Sequence, residues 1–140
     1  YRYAAPLHDI GKIGIPDAIL MKPGPHTDDE TRIMRTHAEL GAALLAGSRW
    51  PLLQLAAVAA REHHENWDGS GYPLGKQGRD IPLECRIFRV VNEVDAMTYG
   101  RPYRKAVSYD EAMLELLRSR GSKYDPQLVD LIAGGHLLLK

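Results

Sequence analysis

The sequence predicts an all-α fold, a helical bundle, on three observations. Apolar residues recur with a helical period through most of the chain, and no stretch alternates long enough to build a sheet. Capping boxes, in which Thr or Ser precedes Glu by three residues, open helices at Thr27 and Ser108. Pro51 and Pro126 stand where the first turn of a helix tolerates proline. The glycine-rich stretch 66–81 is expected to be a loop between helices.

These signals define the expected elements in chain order. Helices are predicted over 1–9, 27–45, 51–64, 82–99, 108–120 and from 125 onward, with loops over 12–25 and 66–81. The predicted inner faces consist of Ile33, His37, Leu40, Gly41 and Leu44, then Leu52, Ala56, Ala59 and His63, then Ile87, Val91, Val94 and Thr98.

Length and composition restrict the class of protein. The 140 residues are expected to form one domain, 1–140, large enough to bury a core without disulfides. The 18 basic and 18 acidic residues give no net charge, so no nucleic acid polymer is indicated, although a small anion is allowed. The lone Cys85 fits a reducing cytoplasm, and no apolar run reaches the roughly 18 residues of a membrane span. Because Tyr1 lies inside an apparent helix, we expect the first helices to be missing and the chain to belong to a longer protein.

Two pairs of candidate metal ligands are the most informative feature of the sequence. His8 and Asp9 are adjacent near the start, and His63 and His64 are adjacent further on. Imidazole and carboxylate groups are the usual protein ligands of hydrolytic metal ions, and Lys12 adds a cation near the first pair. Metal, activated water and a fixed positive charge are what phosphoester cleavage requires.

Helical faces add His37 to this set. His37 and His63 fall on the apolar sides of separate helices, where a single histidine is usually a hydrogen-bonded core residue. Several helices that each point His or Asp inward favour metal binding instead, because helical bundles build metal sites from facing side chains. His26 and His136 fit no such face and are expected at the surface.

The number and identity of the metals stay open at this point. Adjacent residues on a helix diverge by about 100°, so each pair can serve two neighbouring metals that hold a hydroxide between them as nucleophile. Mixed His and carboxylate ligands suit iron, manganese or zinc better than calcium.

Basic and aromatic residues further along offer contacts for phosphate or a base. Arg101, Arg104 and Lys105 form a basic cluster, which is either a cation-rich helix end or a phosphate clamp. Trp67 and Tyr72, in the glycine-rich loop, either stack on a base or pack locally, as aromatic residues in loops more often do.

Three motifs together resemble the signatures of the HD-GYP domain, a branch of the HD phosphohydrolase superfamily. The first covers residues 4–17 and contains His8 and Asp9. The second covers residues 63–73 and ends in Gly-Tyr-Pro, and the third covers residues 101–104. Their order and spacing fit over nearly the whole chain, so this resemblance is far more specific than a lone short motif.

The resemblance implies a bundle that holds two or three divalent metal ions, often iron, and hydrolyses the bacterial messenger cyclic di-GMP to pGpG and on to GMP. The metal ligands that it implies are His8, Asp9, His37, His63 and His64, with Asn92 at a position where the family usually has Asp. It also implies catalytic roles for Lys12 and Asp9 and a supporting role for Asp95. The implied substrate contacts come from Lys12, Tyr72, Arg101 and Arg104. It further implies an upstream receiver or sensor domain and contacts with GGDEF-domain proteins.

The sequence therefore predicts a metal-dependent cyclic di-GMP phosphodiesterase. The alternative is a catalytically weak or inactive module that senses the dinucleotide or docks a GGDEF partner. The neutral Asn92 favours that alternative, and the intact Lys12 opposes it. A third hypothesis, an HD enzyme that acts on another nucleotide, fits the Gly-Tyr-Pro signature less well.

Overall fold

Helices form the regular structure of the computed structural model, which describes residues 4–99 and 105–138. The α-helices are α1 (Asp17–Leu20), α2 (Asp28–Arg35), α3 (His37–Leu45), α4 (Pro51–Glu62), α5 (Leu83–Thr98), α6 (Tyr109–Arg118) and α7 (Pro126–Leu138). Short 3₁₀ segments span Ala5–Leu7, Ile10–Gly14 and Gly78–Asp80. Over those residues the strand-like pairing is confined to isolated bridges, Asp68 with Gln77 and Arg120 with Tyr124. The predicted all-α class is confirmed.

The described residues pack into two compact units, each with its own interior. The first contains residues 4–64 and 72–74, and therefore α1 to α4. The second contains residues 65–71, 75–99 and 105–138, and therefore α5 to α7. Among the described helices, none combines the length and the apolar character that a membrane span requires.

Local sequence determines where the helices begin. Both predicted capping boxes are present: the Thr27 hydroxyl accepts the Glu30 N–H while Glu30 accepts the Thr27 N–H, and Ser108 and Glu111 repeat the arrangement. Asp125 accepts, through one carboxylate oxygen, the N–H of the residue two positions on, at the start of α7. These side chains accept hydrogen bonds from N–H groups that have no partner within the helix. Because the partners lie within three positions of one another, the pattern can be recognised from the sequence alone.

Three predicted boundaries are wrong. Residues 4–9 form turns and a 3₁₀ segment rather than the end of an α-helix. The expected loop over 12–25 contains most of a 3₁₀ segment and α1, because Gly and Pro disfavour long helices but tolerate single turns. The expected helix over 27–45 is divided at Thr36, whose hydroxyl donates to the carbonyl of Ile33, 2.7 Å away, and so engages the last turn of α2.

The predicted inner faces are only partly buried. The buried members are His37, Gly41, Ala56, Ala59 and His63. The exposed members are Ile33, Leu40, Leu44, Leu52, Ile87 and Val91. Helix α5 instead buries Cys85, Phe88, Val90 and Met97. Helical periodicity allows several registers, and the packing of α5 against α6 and α7 selects the one that is buried.

In the first unit, a close backbone contact joins the segment after Asp9 to α3. Gly11 is buried, and a Cβ atom built on it would lie 1.9 Å from the carbonyl oxygen of His37 and 2.4 Å from the amide nitrogen of Gly41. Only glycine permits this approach, because any side chain would collide with the backbone of α3. The contact brings the turn that carries His8 and Asp9 against the first turn of the helix that carries His37.

In the second unit, α5, α6 and α7 enclose an apolar core. Its members are Val90, Met113, Leu116, Tyr124 and Val129. The start of the glycine-rich loop is tied to the segment before α7, since the Trp67 and Asp68 N–H groups donate to carbonyls of residues 123 and 122, at 3.2 and 2.9 Å. The buried Glu65 accepts the Lys76 N–H at 3.0 Å. The two ends of the loop are therefore held within this unit.

We predict that Gly11→Ala lowers the free energy of unfolding by about 3 kcal/mol, because the new methyl group collides with backbone that cannot move aside. The matched control is Gly134→Ala in α7, where an added Cβ meets no atom within 4 Å. That control should be neutral or stabilising by about 0.5–1 kcal/mol. Chemical denaturation measures both variants, and a Gly11→Ala protein as stable as the control would contradict the assigned contact.

Candidate metal centre

Five of the predicted ligands come together in the first unit. His8 and Asp9 lie in the turn between two 3₁₀ segments, and His37 is the first residue of α3. His63 caps the C-terminal end of α4, and His64 follows it. Because α3 packs against both α4 and the 3₁₀ segment after Asp9, three distant parts of the sequence meet at one place.

The ligand atoms converge closely. One potential ligand atom from each of Asp9, His37, His63 and His64 lies within 4.8 Å of all the others. The Oδ1 atom of Asp9 is 3.4 Å from His37 Nε2 and 3.7 Å from His63 Nε2, and these two nitrogens are 3.3 Å apart. The side chains of His37 and His63 are almost completely buried, whereas Asp9 and His64 are half-buried, so the cluster has a buried side and a side open to solvent.

Hydrogen bonds on the far side of each ring determine which nitrogen faces the cluster as an acceptor. His37 Nδ1 lies 2.7 Å from the carbonyl oxygen of Met34, and His63 Nδ1 lies 2.9 Å from that of Ala60. A carbonyl oxygen only accepts, so each Nδ1 carries the proton. Burial lowers the pKa of His37, which favours the neutral ring with a lone pair on Nε2. Such second contacts are typical of metal-ligating histidines.

This arrangement fits a divalent cation. The lone pair of a neutral His37 Nε2 points towards a carboxylate oxygen of Asp9 and towards a second imidazole nitrogen, that of His63. Acceptors crowded in a buried site repel one another unless a positive charge lies among them. Imidazole and carboxylate donors together suit iron, manganese or zinc.

The second carboxylate oxygen of Asp9 faces different groups. Its Oδ2 atom lies 2.5 Å from Lys12 Nζ and 3.3 Å from His8 Nε2. Burial by itself raises the pKa of Asp9, but hydrogen bonds and positive charge from neighbouring groups, the Lys12 ammonium among them, outweigh it and hold the pKa far below its usual value. Asp9 is therefore ionised at physiological pH and can bridge two positive centres, one through each oxygen.

Tyr72 of the Gly-Tyr-Pro segment packs against the cluster. Its ring stacks on the imidazole of His64, with 4.6 Å between centroids and 19° between planes, and its N–H donates to the carbonyl of His64 at 3.3 Å. The guanidinium carbon of Arg35 lies 4.9 Å from the centroid of the same ring. Tyr72 therefore packs locally against a candidate ligand, and its predicted contact with substrate stays a prediction.

The remaining predicted site residues lie elsewhere. Asn92 and Asp95 belong to α5 in the second unit, where Asp95 is exposed and lines an apolar cavity with Val90, Val94 and Tyr109. Their roles toward a metal stay predictions. Arg101 and Arg104 lie outside the described residues. His26 is exposed as expected, and the side chain of His136 is not among those described.

No motif in the sequence pointed to Arg35. It is the last residue of α2, two positions before His37, and that short separation was the available signal. An exposed arginine at a helix end is common, since cations there interact favourably with the helix dipole. Its contact with Tyr72 depends on two segments that are far apart in the sequence.

A helical domain in which buried imidazole groups and a half-buried carboxylate converge in this way has the ligand set of the metal-binding domains that hydrolytic enzymes use. A family model described as HD domain matches residues 1–128, so the chain belongs to the HD domain family. The HD-GYP resemblance of the motifs is confirmed by this match and by the relatives. That residues 1–140 form one such domain of a longer protein stays a prediction.

Two curated relatives and one solved structure illustrate the similarity. The chain is 47% identical over 137 residues to the cyclic di-GMP phosphodiesterase response regulator RpfG of Xanthomonas campestris pv. campestris, covering 98% of the chain and 36% of RpfG. It is 48% identical over 129 residues to a cyclic di-GMP phosphodiesterase of Thermotoga maritima, covering 92% of the chain and 35% of that protein. A crystal structure of a cyclic GMP-AMP specific phosphodiesterase from V. cholerae superposes with a TM-score of 0.66 at 20% identity, covering 94% of the chain and 36% of that protein. The chain thus spans about a third of the length of these proteins.

We predict that His37→Ala weakens the binding of Mn²⁺ more than tenfold. Loss of a group that only supports a ligand costs about 10–100-fold in affinity, so loss of a ligand should cost at least as much. The control is His26→Ala, since His26 is exposed and its ring contacts only the carbonyl of Ile19 among the described residues. Elemental analysis after loading with Mn²⁺ measures the metal content of each variant, and circular dichroism shows whether each variant is folded. Equal metal content in the two variants would remove His37 from the ligand set.

Proposed function

We propose that this domain hydrolyses a phosphodiester bond of cyclic di-GMP to give linear pGpG, and pGpG further to GMP. The observation that carries the proposal is the convergence of Asp9 with His37 and His63, together with Lys12 at 2.5 Å from the same carboxylate. A partly buried ligand set beside a cation matches the needs of phosphodiester hydrolysis. The names of the two curated relatives support cyclic di-GMP as the substrate.

The residues of the cluster divide into two groups around Asp9. Asp9, His37, His63 and His64 would hold one divalent cation, and His8 together with Asp9 would contribute to holding a second. Bound cations supply Lewis acidity toward a phosphoryl oxygen and make water a stronger nucleophile at neutral pH. The hydrogen bonds from Nδ1 to backbone carbonyls keep the rings of His37 and His63 in the orientation that presents Nε2.

Lys12 is assigned to the phosphoryl group. Its side chain is 37% exposed, so its ammonium can donate to a substrate oxygen while its stem stays in place. In the reaction, water adds to phosphorus, the bond from phosphorus to the 3′ oxygen breaks, and a proton reaches that oxygen, which leaves a 5′-phosphate. Negative charge grows on the phosphoryl and leaving oxygens, and a fixed ammonium lowers its energy. Arg101 and Arg104 are proposed to hold the phosphate.

Four finer assignments rest on the HD-GYP resemblance and the composition. Iron is the proposed metal, with manganese and zinc as the other candidates that the donors suit. GGDEF-domain proteins are proposed as partners, and a receiver or sensor domain as the regulatory input. The cytoplasm is the proposed location. Metal analysis of protein purified under anaerobic conditions tests the first assignment, and zinc alone in stoichiometric amount would contradict it.

We expect protein loaded with Fe²⁺ or Mn²⁺ to convert cyclic di-GMP to pGpG, with His37→Ala as the inactive control. Chromatography of the nucleotides over time measures the conversion. Metal-loaded protein that binds cyclic di-GMP tightly but yields no pGpG or GMP would overturn the proposal. That outcome would favour the sensor alternative, for which the neutral amide of Asn92 is the supporting feature.

We expect Lys12→Ala to lower kcat by about 10²–10³-fold, the usual cost of removing one donor to a developing negative charge. Metal content should stay close to that of the unaltered protein, because the ammonium donates no lone pair. Lys22→Ala is the matched control, since Lys22 also lies 2.5 Å from a carboxylate, that of Glu30. An equal loss of metal and turnover in Lys12→Ala would contradict the assigned role.

A further inference from the structure

Arg35 is an exposed cation that has no hydrogen-bond or ion-pair partner among the described residues. Within residues 4–99 and 105–138, its guanidinium makes a cation–π contact with Tyr72, with the guanidinium carbon 4.9 Å from the ring centroid. Arg32, one turn earlier on α2, is instead paired with the carboxylate of Asp29. The difference matters because a guanidinium carries five N–H donors, and Arg35, which carries them, is exposed.

The position of Arg35 places these donors beside the candidate metal centre. Tyr72, which Arg35 contacts, stacks on His64 at 4.6 Å between centroids. His64 supplies one of the converging ligand atoms. Two ring contacts, each shorter than 5 Å, therefore connect the guanidinium to the cluster.

A guanidinium that lies over an aromatic ring is well suited to bind an anion. A guanidinium that packs with its face on a ring keeps its N–H donors available, because they lie in its own plane. This packing restricts the side chain, so less conformational freedom is lost when an anion binds. The planar set of donors matches two oxygens of one phosphate group.

We propose that Arg35 is a substrate-binding residue that holds a phosphodiester group of the cyclic dinucleotide. This inference rests on the proposed function. A cyclic dinucleotide carries two phosphodiester groups, of which one reacts at a time. Lys12 contacts Asp9 on the His8 side of the cluster, whereas Arg35 lies on the Tyr72 side of His64. We assign Arg35 to the phosphodiester that is not being cleaved, so that both anionic groups have a cation.

The test compares Arg35→Gln, Arg35→Lys and the control Arg32→Gln in the purified, metal-loaded protein. We expect Arg35→Gln to raise KM for cyclic di-GMP about 10–100-fold, the range for loss of a charged hydrogen bond, with kcat and metal content nearly unchanged. Arg35→Lys should recover only part of the affinity, because it keeps the charge but loses the planar set of donors and the packing on Tyr72. Arg32→Gln should behave as the unaltered protein.

Different outcomes would overturn the assignment in different ways. A fall in kcat and metal content, without rescue by Lys, would mean that Arg35 only positions Tyr72 and His64. A contact with phosphate also makes binding sensitive to salt, so Arg35→Gln should show a shallower rise of KM with KCl concentration than Arg32→Gln. If KM rose equally steeply with KCl concentration in both variants, a contact between Arg35 and phosphate would be excluded. An unchanged KM would exclude any contact.

Equilibrium dialysis separates this inference from the proposed reaction. If the unaltered protein binds cyclic di-GMP without hydrolysing it, the proposed function fails, and a weaker Kd in Arg35→Gln still supports the role of Arg35. If turnover is present and Arg35→Gln binds as tightly as Arg32→Gln, the inference about Arg35 fails alone. If the unaltered protein does not bind cyclic di-GMP at all, both are wrong.

Discussion

The contact between the backbone of Gly11 and the first turn of α3 is the constraint on which the metal centre depends. It leaves no room for a Cβ atom, and it therefore sets the distance between the turn of His8 and Asp9 and the helix of His37. Helix α3 also packs on α4, whose C-terminal end carries His63. One close backbone approach thus determines whether the imidazole and carboxylate groups can share a cation.

The cluster combines burial with an excess of acceptors. The almost completely buried His37 and His63 have their outer nitrogens occupied by backbone carbonyls, so their inner nitrogens face each other and Asp9. Such an arrangement is costly in a low dielectric unless a cation balances it. Affinity for metal and stability of the first unit are therefore expected to be coupled, since the cation binds the folded arrangement of ligands.

Tyr72 links the Gly-Tyr-Pro segment to the same cluster. Its ring lies on the imidazole of His64, and its N–H binds the carbonyl of that residue. A signature residue that looks like a contact for a base is thus packed against a metal-ligand candidate and an arginine. On that side of the cluster, the guanidinium of Arg35 lies 4.9 Å from the centroid of the Tyr72 ring and adds a positive charge.

The sequence by itself determined the helical class, the helix starts and the identities of the candidate ligands. Capping boxes and adjacent His and Asp residues act over three or four positions, so they can be recognised without the fold. The sequence did not determine which helix faces are buried. Ile87 and Val91 remain exposed, because packing against the partner helices determines which face of α5 is buried. Only the tertiary structure decided the distances between ligand atoms, the orientation of each histidine ring and the contact of Arg35 with Tyr72, since these depend on packing between segments that are far apart in the chain.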